Sequence, residues 1–375
     1  MAGSSARDSA GRQLAELCPD PGKKYFGAVD LCKLICALLV AAIHVSPLES
    51  VSTAADHLFR AGLARIAVPF FFTASGFFLF RKTSQTDFDF SAAKRYALRL
   101  LRLYVIWTVI YFPLSLKTQI LANSAGPLAG FAGWLRCFLF SGSFVHLWFL
   151  PAAAVAALLI SLMLRRGASL KAILLTAAGL YAVCLLGQTY HVLLRPLESA
   201  PVIGRVLWLY RRVFISTQNG VFLGFPFVAV GMALAYRPVH LSRSAVGAGL
   251  ALSALLFALE VVAVMRFGWA KDYSAYIFLV PLVFFLFLAL CRCELPPRRA
   301  YLHMRDTGML IFYLHILVSM AVKALLALTG AASHPILGSS VSIYLLTLVF
   351  SVAAAHLIIL LSDMPRLSWL KRLYK

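Results

Sequence analysis

The sequence predicts an all-α fold: a polytopic membrane helix bundle of about ten transmembrane helices, with both termini cytoplasmic. Three observations carry that prediction. First, 61% of the 375 residues are hydrophobic and only 13% charged, about half the charge of an ordinary soluble domain. Second, apolar runs of roughly 17 to 25 residues, each able to cross about 30 Å of hydrocarbon as a helix, recur from end to end. Third, Lys and Arg near the run ends segregate, 23 on one side against nine on the other, and the richer side is the cytoplasmic one.

Ten runs qualify in order: 29–46, 63–80, 98–116, 147–164, 170–187, 221–235, 245–265, 274–290, 308–328 and 340–362. The first keeps Asp30 and Lys33 behind a polar stretch without a small-residue cleavage signal, so it is expected to stay in the mature protein. The second reads LARIAVPFFFTASGFFLF, and the third is entered through the basic KRYALRLLRLY. VHLWFL opens the fourth, and Arg165, Arg166 and Lys171 flank the turn into the fifth. The sixth is short and carries Gly220, Gly224, Pro226 and Gly231, which makes it the span expected to be broken. Pro69, Pro113, Pro226 and Pro281 are expected to interrupt helical ladders and free carbonyls. Glu260 lies in the seventh, and FYLHILV follows Asp306 in the ninth. The chain thus divides into a polar cytoplasmic segment (1–25), a membrane domain (26–365) and a basic cytoplasmic tail (366–375). No repeat of 20 to 50 residues is visible, and the largest outer segments, about 117–146 and 188–220, are too short for a separate soluble domain.

The net charge of +21 follows from this topology and from anionic membrane lipids as partners, so no nucleic acid is expected. The seven cysteines are scattered and suggest neither a disulfide framework nor a metal site.

Polar residues inside spans are the default functional candidates. In LLVAAIHVSPL, His44 stands among aliphatic neighbours. At 100° per residue it points within about 20° of Lys33, eleven positions earlier, and Asp30 lies within about 60° of both. The three share one face, with a rise of about 16 Å from Lys33 to His44. A plain alternative is that Lys33 snorkels, Asp30 pairs with it, and His44 hydrogen-bonds a neighbouring helix.

VDLCKLICALLVAAIHVSPL followed by LARIAVPFFFTASGFFLF resembles the opening of the acyltransferase 3 family of integral membrane proteins. That family has an arginine, ten residues, then a histidine on its first helix; here the spacing is kept with Lys33 in the arginine's place. Phe70, Phe71, Phe72, Ser75 and Gly76 match its paired-aromatic and Ser-Gly signature. KRYALRLLRLY, VHLWFL and FYLHILV match in order along nearly the whole chain. The resemblance implies transfer of an acyl group, commonly acetyl from acetyl-CoA, to a hydroxyl of an extracytoplasmic glycan or other cell-envelope acceptor at the cell membrane. One branch of the family forms the membrane half of serine racemases, and IHVSPL with the early lysine resembles that branch more closely. In that branch a soluble pyridoxal-dependent racemase domain would follow, and the sequence stops at Lys375, so racemase activity is not expected.

Acyl transfer from a thioester needs a base or nucleophile near neutral pH, which assigns that role to His44. Phosphates of the acyl-CoA co-substrate need cations. Arg95, Arg99 and Arg102 fall at i, i+4, i+7 on one face where the third span enters the membrane, with Lys33 as a further candidate; positive-inside topology alone would also place cations there. Asp30, Arg65, His146, Trp148, Asn219, Glu260, Tyr313 and His315 are the candidates for substrate binding. Several of these have structural alternatives: an ion pair for Arg65, an interface anchor for Trp148, helix association for Tyr313 and His315, a helix cap for Asn219. Two other function classes stay open. One is a transporter or binder of a small molecule such as serine, with Arg65 holding a carboxylate; the other is a membrane partner without catalysis.

Overall fold

The computed structural model describes residues 25–83, 88–296 and 298–375; residues 1–24, and with them nearly all of the expected cytoplasmic segment, lie outside the described residues. Every regular element among these is helical. Seven helices are long and apolar enough to cross a membrane, and the other three expected spans form shorter apolar helices, Phe149–Arg165, Gly220–Tyr236 and Leu279–Arg292. The protein is a multi-pass helical membrane bundle.

The principal helices are α1 (Gly27–Val45), α2 (Thr53–Ala61), α3 (Ala67–Phe80), α4 (Phe90–Ser115), α5 (Pro127–Phe140), α6 (Phe149–Arg165), α7 (Leu170–Gly187), α8 (Pro201–Phe214), α9 (Phe225–Tyr236), α10 (Arg243–Phe267), α11 (Leu279–Arg292), α12 (Arg299–Leu328) and α13 (Ser340–Ser362). Local chemistry sets several ends. Asp89 caps α4 by accepting from the Ser91 N–H at 2.7 Å, and Ser169 and Ser339 cap α7 and α13 in the same way, which satisfies amide donors that a helix start leaves open. Prolines begin α5 and α8, where the missing N–H costs nothing. Two of the four prolines expected to interrupt ladders stand beside such breaks: Pro113 precedes a π turn at Leu116–Leu121, and Pro226 follows another at Gly220–Gly224; Pro69 and Pro281 lie instead in the first turns of α3 and α11, where no intrahelical donor is lost. The sixth span is broken at that second turn.

Two compact units result. The first comprises the described residues of Met1–Arg60, Arg243–Gly247 and Phe285–Tyr374. Within it α12 lies along α1 in parallel: Tyr25 meets Tyr301, Gly308 backs onto Leu34, and His44 meets His315. A side chain at Gly308 would meet the Leu34 Cα at 3.2 Å, so glycine is what lets the two backbones approach. α13 runs the other way, with the Ser340 hydroxyl donating to the Pro47 carbonyl at 2.9 Å and the Tyr344 hydroxyl to that of Leu38 at 3.0 Å. Because α1 and α12 run in one direction and α13 returns, the two ends of a chain in which these three cross the membrane lie on the same side.

The second unit comprises Ala61–Ser242, Ala248–Phe284 and Lys375. Its closest helix crossing is α3 on α9: a Cβ at Gly76 would overlap the Val228 carbonyl, and one at Gly231 that of Thr73. Gly220 makes the same kind of approach to the Ala152 carbonyl of α6. α8 is amphipathic, with Val202, Val206 and Leu209 more than half exposed. It is tied at its end by Arg211, which donates to Glu198 and holds that carboxyl below the usual glutamate range. Large apolar side chains such as Val105, Val109, Leu255 and Leu360 are also exposed, as lipid-facing helix surfaces require.

Candidate functional site

In the first unit the polar stripe of α1 ends on a turn built to stop the helix. Ser46 has φ 58°, its N–H reaches the Ala42 carbonyl at 3.1 Å, and Pro47 after it cannot continue the ladder. Asp56, 1% exposed on α2, closes that turn by accepting from the Leu48 N–H at 2.9 Å and from Arg60 at 2.6 Å. His44 therefore stands in the last turn of α1, half-buried, on a backbone held from both sides. Its ring faces that of His315, fully buried on α12, with centroids 5.4 Å apart and planes at 31°. Nδ1 of His315 lies 3.1 Å from the Ile311 carbonyl and 2.9 Å from that of Phe312. Carbonyls only accept, so Nδ1 carries the proton and Nε2 presents a lone pair.

Lower on the same stripe, Lys33 donates to Asp30 at 3.0 Å, with side chains 20% and 9% exposed. The pair keeps both charges compensated where a lone ion would be costly. Tyr313 is 2% exposed beside Phe312, and Asp306 accepts from Arg305 at 3.2 Å. The first unit thus gathers Asp30, Lys33, His44, Tyr313 and His315.

The remaining candidates belong to the second unit. The loop carrying His146 and Trp148 is pinned on α4: the Ser143 N–H donates to the Tyr104 hydroxyl at 2.8 Å, and the Ser143 and Thr108 hydroxyls share a hydrogen bond of 2.6 Å. Gly142 has φ 94° and lies so close to Trp148 that a Cβ would collide with its backbone. His146 is buried edge-on against Tyr111 at 4.9 Å. Trp148 contacts Phe72 at 6.0 Å between ring centroids. Trp148 and Asn219 share one cleft of about 110 Å³, lined also by Leu139, Phe140, Val155 and Gln218. Asn219 acts there as a cap: its Oδ1 accepts from the Val221 and Phe222 amides at 2.9 and 3.1 Å, and its Nδ2 donates to the Tyr210 hydroxyl at 3.0 Å.

Arg65 lies on the short turn before α3, 3.7 Å from Asp272. Glu260 accepts from the Tyr190 hydroxyl at 2.6 Å and from the amides of Ile277 and Phe278 at 2.7 and 2.9 Å. Its carboxyl oxygens accept at the start of α11, satisfying amide donors that the chain before Leu279 cannot. Arg95, Arg99 and Arg102 form an exposed row along α4, with Arg95 bonded to the Ser91 hydroxyl at 2.8 Å and 3.8 Å from Asp89. The sequence reading missed Asp56, Asp272 and Tyr190, the partners that hold the turn after His44, Arg65 and Glu260. Asp56 sits on the short helix α2 between the first two expected spans, and Asp272 and Tyr190 sit in connecting turns, where no apolar run marks them.

A family model described as an acyltransferase domain matches residues 26–360. Among curated proteins the chain is similar to an amino-acid racemase of Enterococcus faecalis, 28% identical over 348 residues, covering 91% of this chain and 47% of that protein. It is also similar to a serine/alanine racemase of Enterococcus gallinarum, 27% identical over 292 residues, covering 76% of this chain and 40% of that protein. The chain therefore spans under half the length of these relatives. No solved structure matches it.

Proposed function

The chain belongs to this family of membrane acyltransferase domains, and from that premise we propose that it moves an acyl group, acetyl in the first instance, from cytoplasmic acyl-CoA to a hydroxyl of an extracytoplasmic cell-envelope acceptor at the cell membrane. The observation that carries this reading is the polar stripe of α1, with the Asp30–Lys33 pair at one level and His44 against His315 about 16 Å along the axis. An extended pantetheine arm covers such a length, so the thioester reaches His44 while the CoA phosphates stay at the level of Lys33. Within the second unit by itself, the exposed row Arg95, Arg99 and Arg102 is a separate candidate for phosphate binding. His44 takes the proton of the acceptor hydroxyl as its oxygen attacks the thioester carbonyl; the C–S bond breaks, and the proton passes to the departing CoA thiolate. Within the second unit by itself, the cleft of Trp148 and Asn219, with Gln218 beside them and apolar side chains around, has the mixed lining that suits a small hydroxyl-bearing molecule.

Membranes given labelled acetyl-CoA should transfer label to envelope material, and His44→Ala at matched protein level should lower the rate by at least about 100-fold. Undiminished transfer in that variant removes His44 from the chemistry. Replacing Arg95 and Arg99 together by Gln should weaken CoA binding in detergent and flatten its salt dependence; unchanged affinity assigns the row to topology.

The relatives' names favour a second reading, in which the membrane body handles an amino acid such as serine and Arg65 meets its carboxylate. Serine uptake that needs no acyl-CoA, with no acyl transfer, would support it.

A further inference from the structure

We propose that α8 is an interfacial helix: its exposed apolar stripe sits among the upper acyl chains of the bilayer that the chain crosses, and Arg205 and Arg212 bind the headgroup phosphates of anionic phospholipid beside it. The inference is independent of the acyl-transfer reading and concerns the second unit alone. At 100° per residue, Val202, Val206, Leu209 and Val213 of PVIGRVLWLYRRVF fall within about 60° of one another. The first three are more than half exposed. To one side of that stripe Arg205 and Arg212 point within about 20° of each other, with Trp208 within about 60° of both. Both arginines are exposed, and the Arg212 guanidinium lies over the Trp208 ring, 5.1 Å from its centroid. The opposite side faces protein. There Arg211 donates to Glu198, the Tyr210 hydroxyl donates to the Ser216 carbonyl at 3.1 Å, and the Phe214 ring meets that of Phe140 at 5.6 Å. The helix thus turns one arginine of three inward and offers two outward, next to an apolar face.

The position of α8 in the chain selects the bilayer as its occupant. With 14 residues it is about 21 Å long, short of the roughly 30 Å of a hydrocarbon core. It stands between two apolar helices, α7 before it and Gly220–Tyr236 after it. The chain leading into it is fastened to the far end of α10, where the Val192 N–H donates to the Trp269 carbonyl at 3.1 Å and the Lys271 N–H to that of Gln188 at 2.9 Å. α8 is therefore held at the level where the spans leave the membrane. An apolar stripe at that level is satisfied by acyl chains, and cations flanking it meet phosphates. The arginine fork matches phosphate oxygens, and tryptophan favours the same depth. Charge also decides against a second copy of this chain: a twofold pairing of two such stripes would bring Arg205 and Arg212 of each copy toward their own kind, which repels. Phe214, in the last turn of α8, lines the cleft of Trp148 and Asn219, so a seated α8 holds one wall of that cleft at the membrane surface.

Trp208 reports the contact. Full-length protein in phosphatidylcholine nanodiscs receives increasing shares of tail-brominated phosphatidylcholine or tail-brominated phosphatidylglycerol, and the quenching lost in Trp208→Phe isolates this side chain from the other tryptophans. Both lipids should quench Trp208, and phosphatidylglycerol should reach half its effect at a share lower by about tenfold or more, as two arginines near the surface imply. High salt should narrow the difference. Arg205→Gln with Arg212→Gln should bring the two lipids to within about twofold while Trp208 stays quenched, and Arg205→Lys with Arg212→Lys, which keeps both charges, should keep most of the preference. A preference that survives the Gln pair, or equal loss in the Gln and Lys pairs, would overturn the proposal. So would a Trp208 that neither lipid quenches: quenching by iodide from the water would leave the face in solvent, and a dimeric mass without quenching would give it to a second copy.

Discussion

Asp56 shows how much a single side chain outside the expected spans can decide. It is buried, it accepts from both the Leu48 amide and Arg60, and the turn it closes follows His44 directly. Asp56→Ala should leave the Leu48 donor unsatisfied at a cost of about 1–3 kcal/mol, read as a lower melting midpoint in detergent, and should reduce acyl transfer more than it reduces CoA binding. An unaltered midpoint would show that Ser46 and Pro47 hold the turn alone. Reading residues from sequence succeeded where one helix suffices. Asp30, Lys33 and His44 share a face of α1 because periodicity fixes directions within a helix. It did not reach the facing of His44 and His315, since the register between two helices depends on where Gly308 lets backbones meet. Nor could it foresee that Glu260 would be held by Tyr190 and two distant amides, because such a cap comes from another helix.

At the scale of elements, glycines divide by what stands over them. Gly76→Ala would drive a methyl group into the Val228 carbonyl, so α3 and α9 must separate, at a cost of about 1–3 kcal/mol or more. Gly179, within α7, has open space where a methyl group would stand, with nothing within 4 Å, and Gly179→Ala should stabilise by up to about 1 kcal/mol through helix propensity. Thermal melts of the two variants in one detergent check the pair, and a similar shift in both would mean that the crossing tolerates relaxation. All ten apolar runs formed helices because a run of that length has only one way to satisfy its backbone in lipid. Helices α5 and α8 were not foreseen: each begins at a proline inside one of the segments between the expected spans. The π turns were invisible as such, although the glycines and prolines beside them marked where the ladder would break.

For the whole molecule, the direction of the helices in the first unit restricts topology independently of counting. α1 and α12 run together and α13 runs back, so reporter fusions before residue 25 and after Lys375 should report the same side, and one after Ser124 the opposite side. Fusions at the two ends that disagree would mean that one of these three helices does not cross. The charge asymmetry of 23 to nine then assigns the shared side to the cytoplasm.

The parallel docking of α12 on α1 also sets an order of assembly. His44 is synthesised roughly 270 residues before His315. At roughly 5–20 residues per second the ribosome leaves His44 without that neighbour for on the order of ten seconds or more. A nascent chain therefore carries the first of the two facing rings through the membrane long before the helix that packs against it exists, so α1 must be held meanwhile by its own backbone bonds.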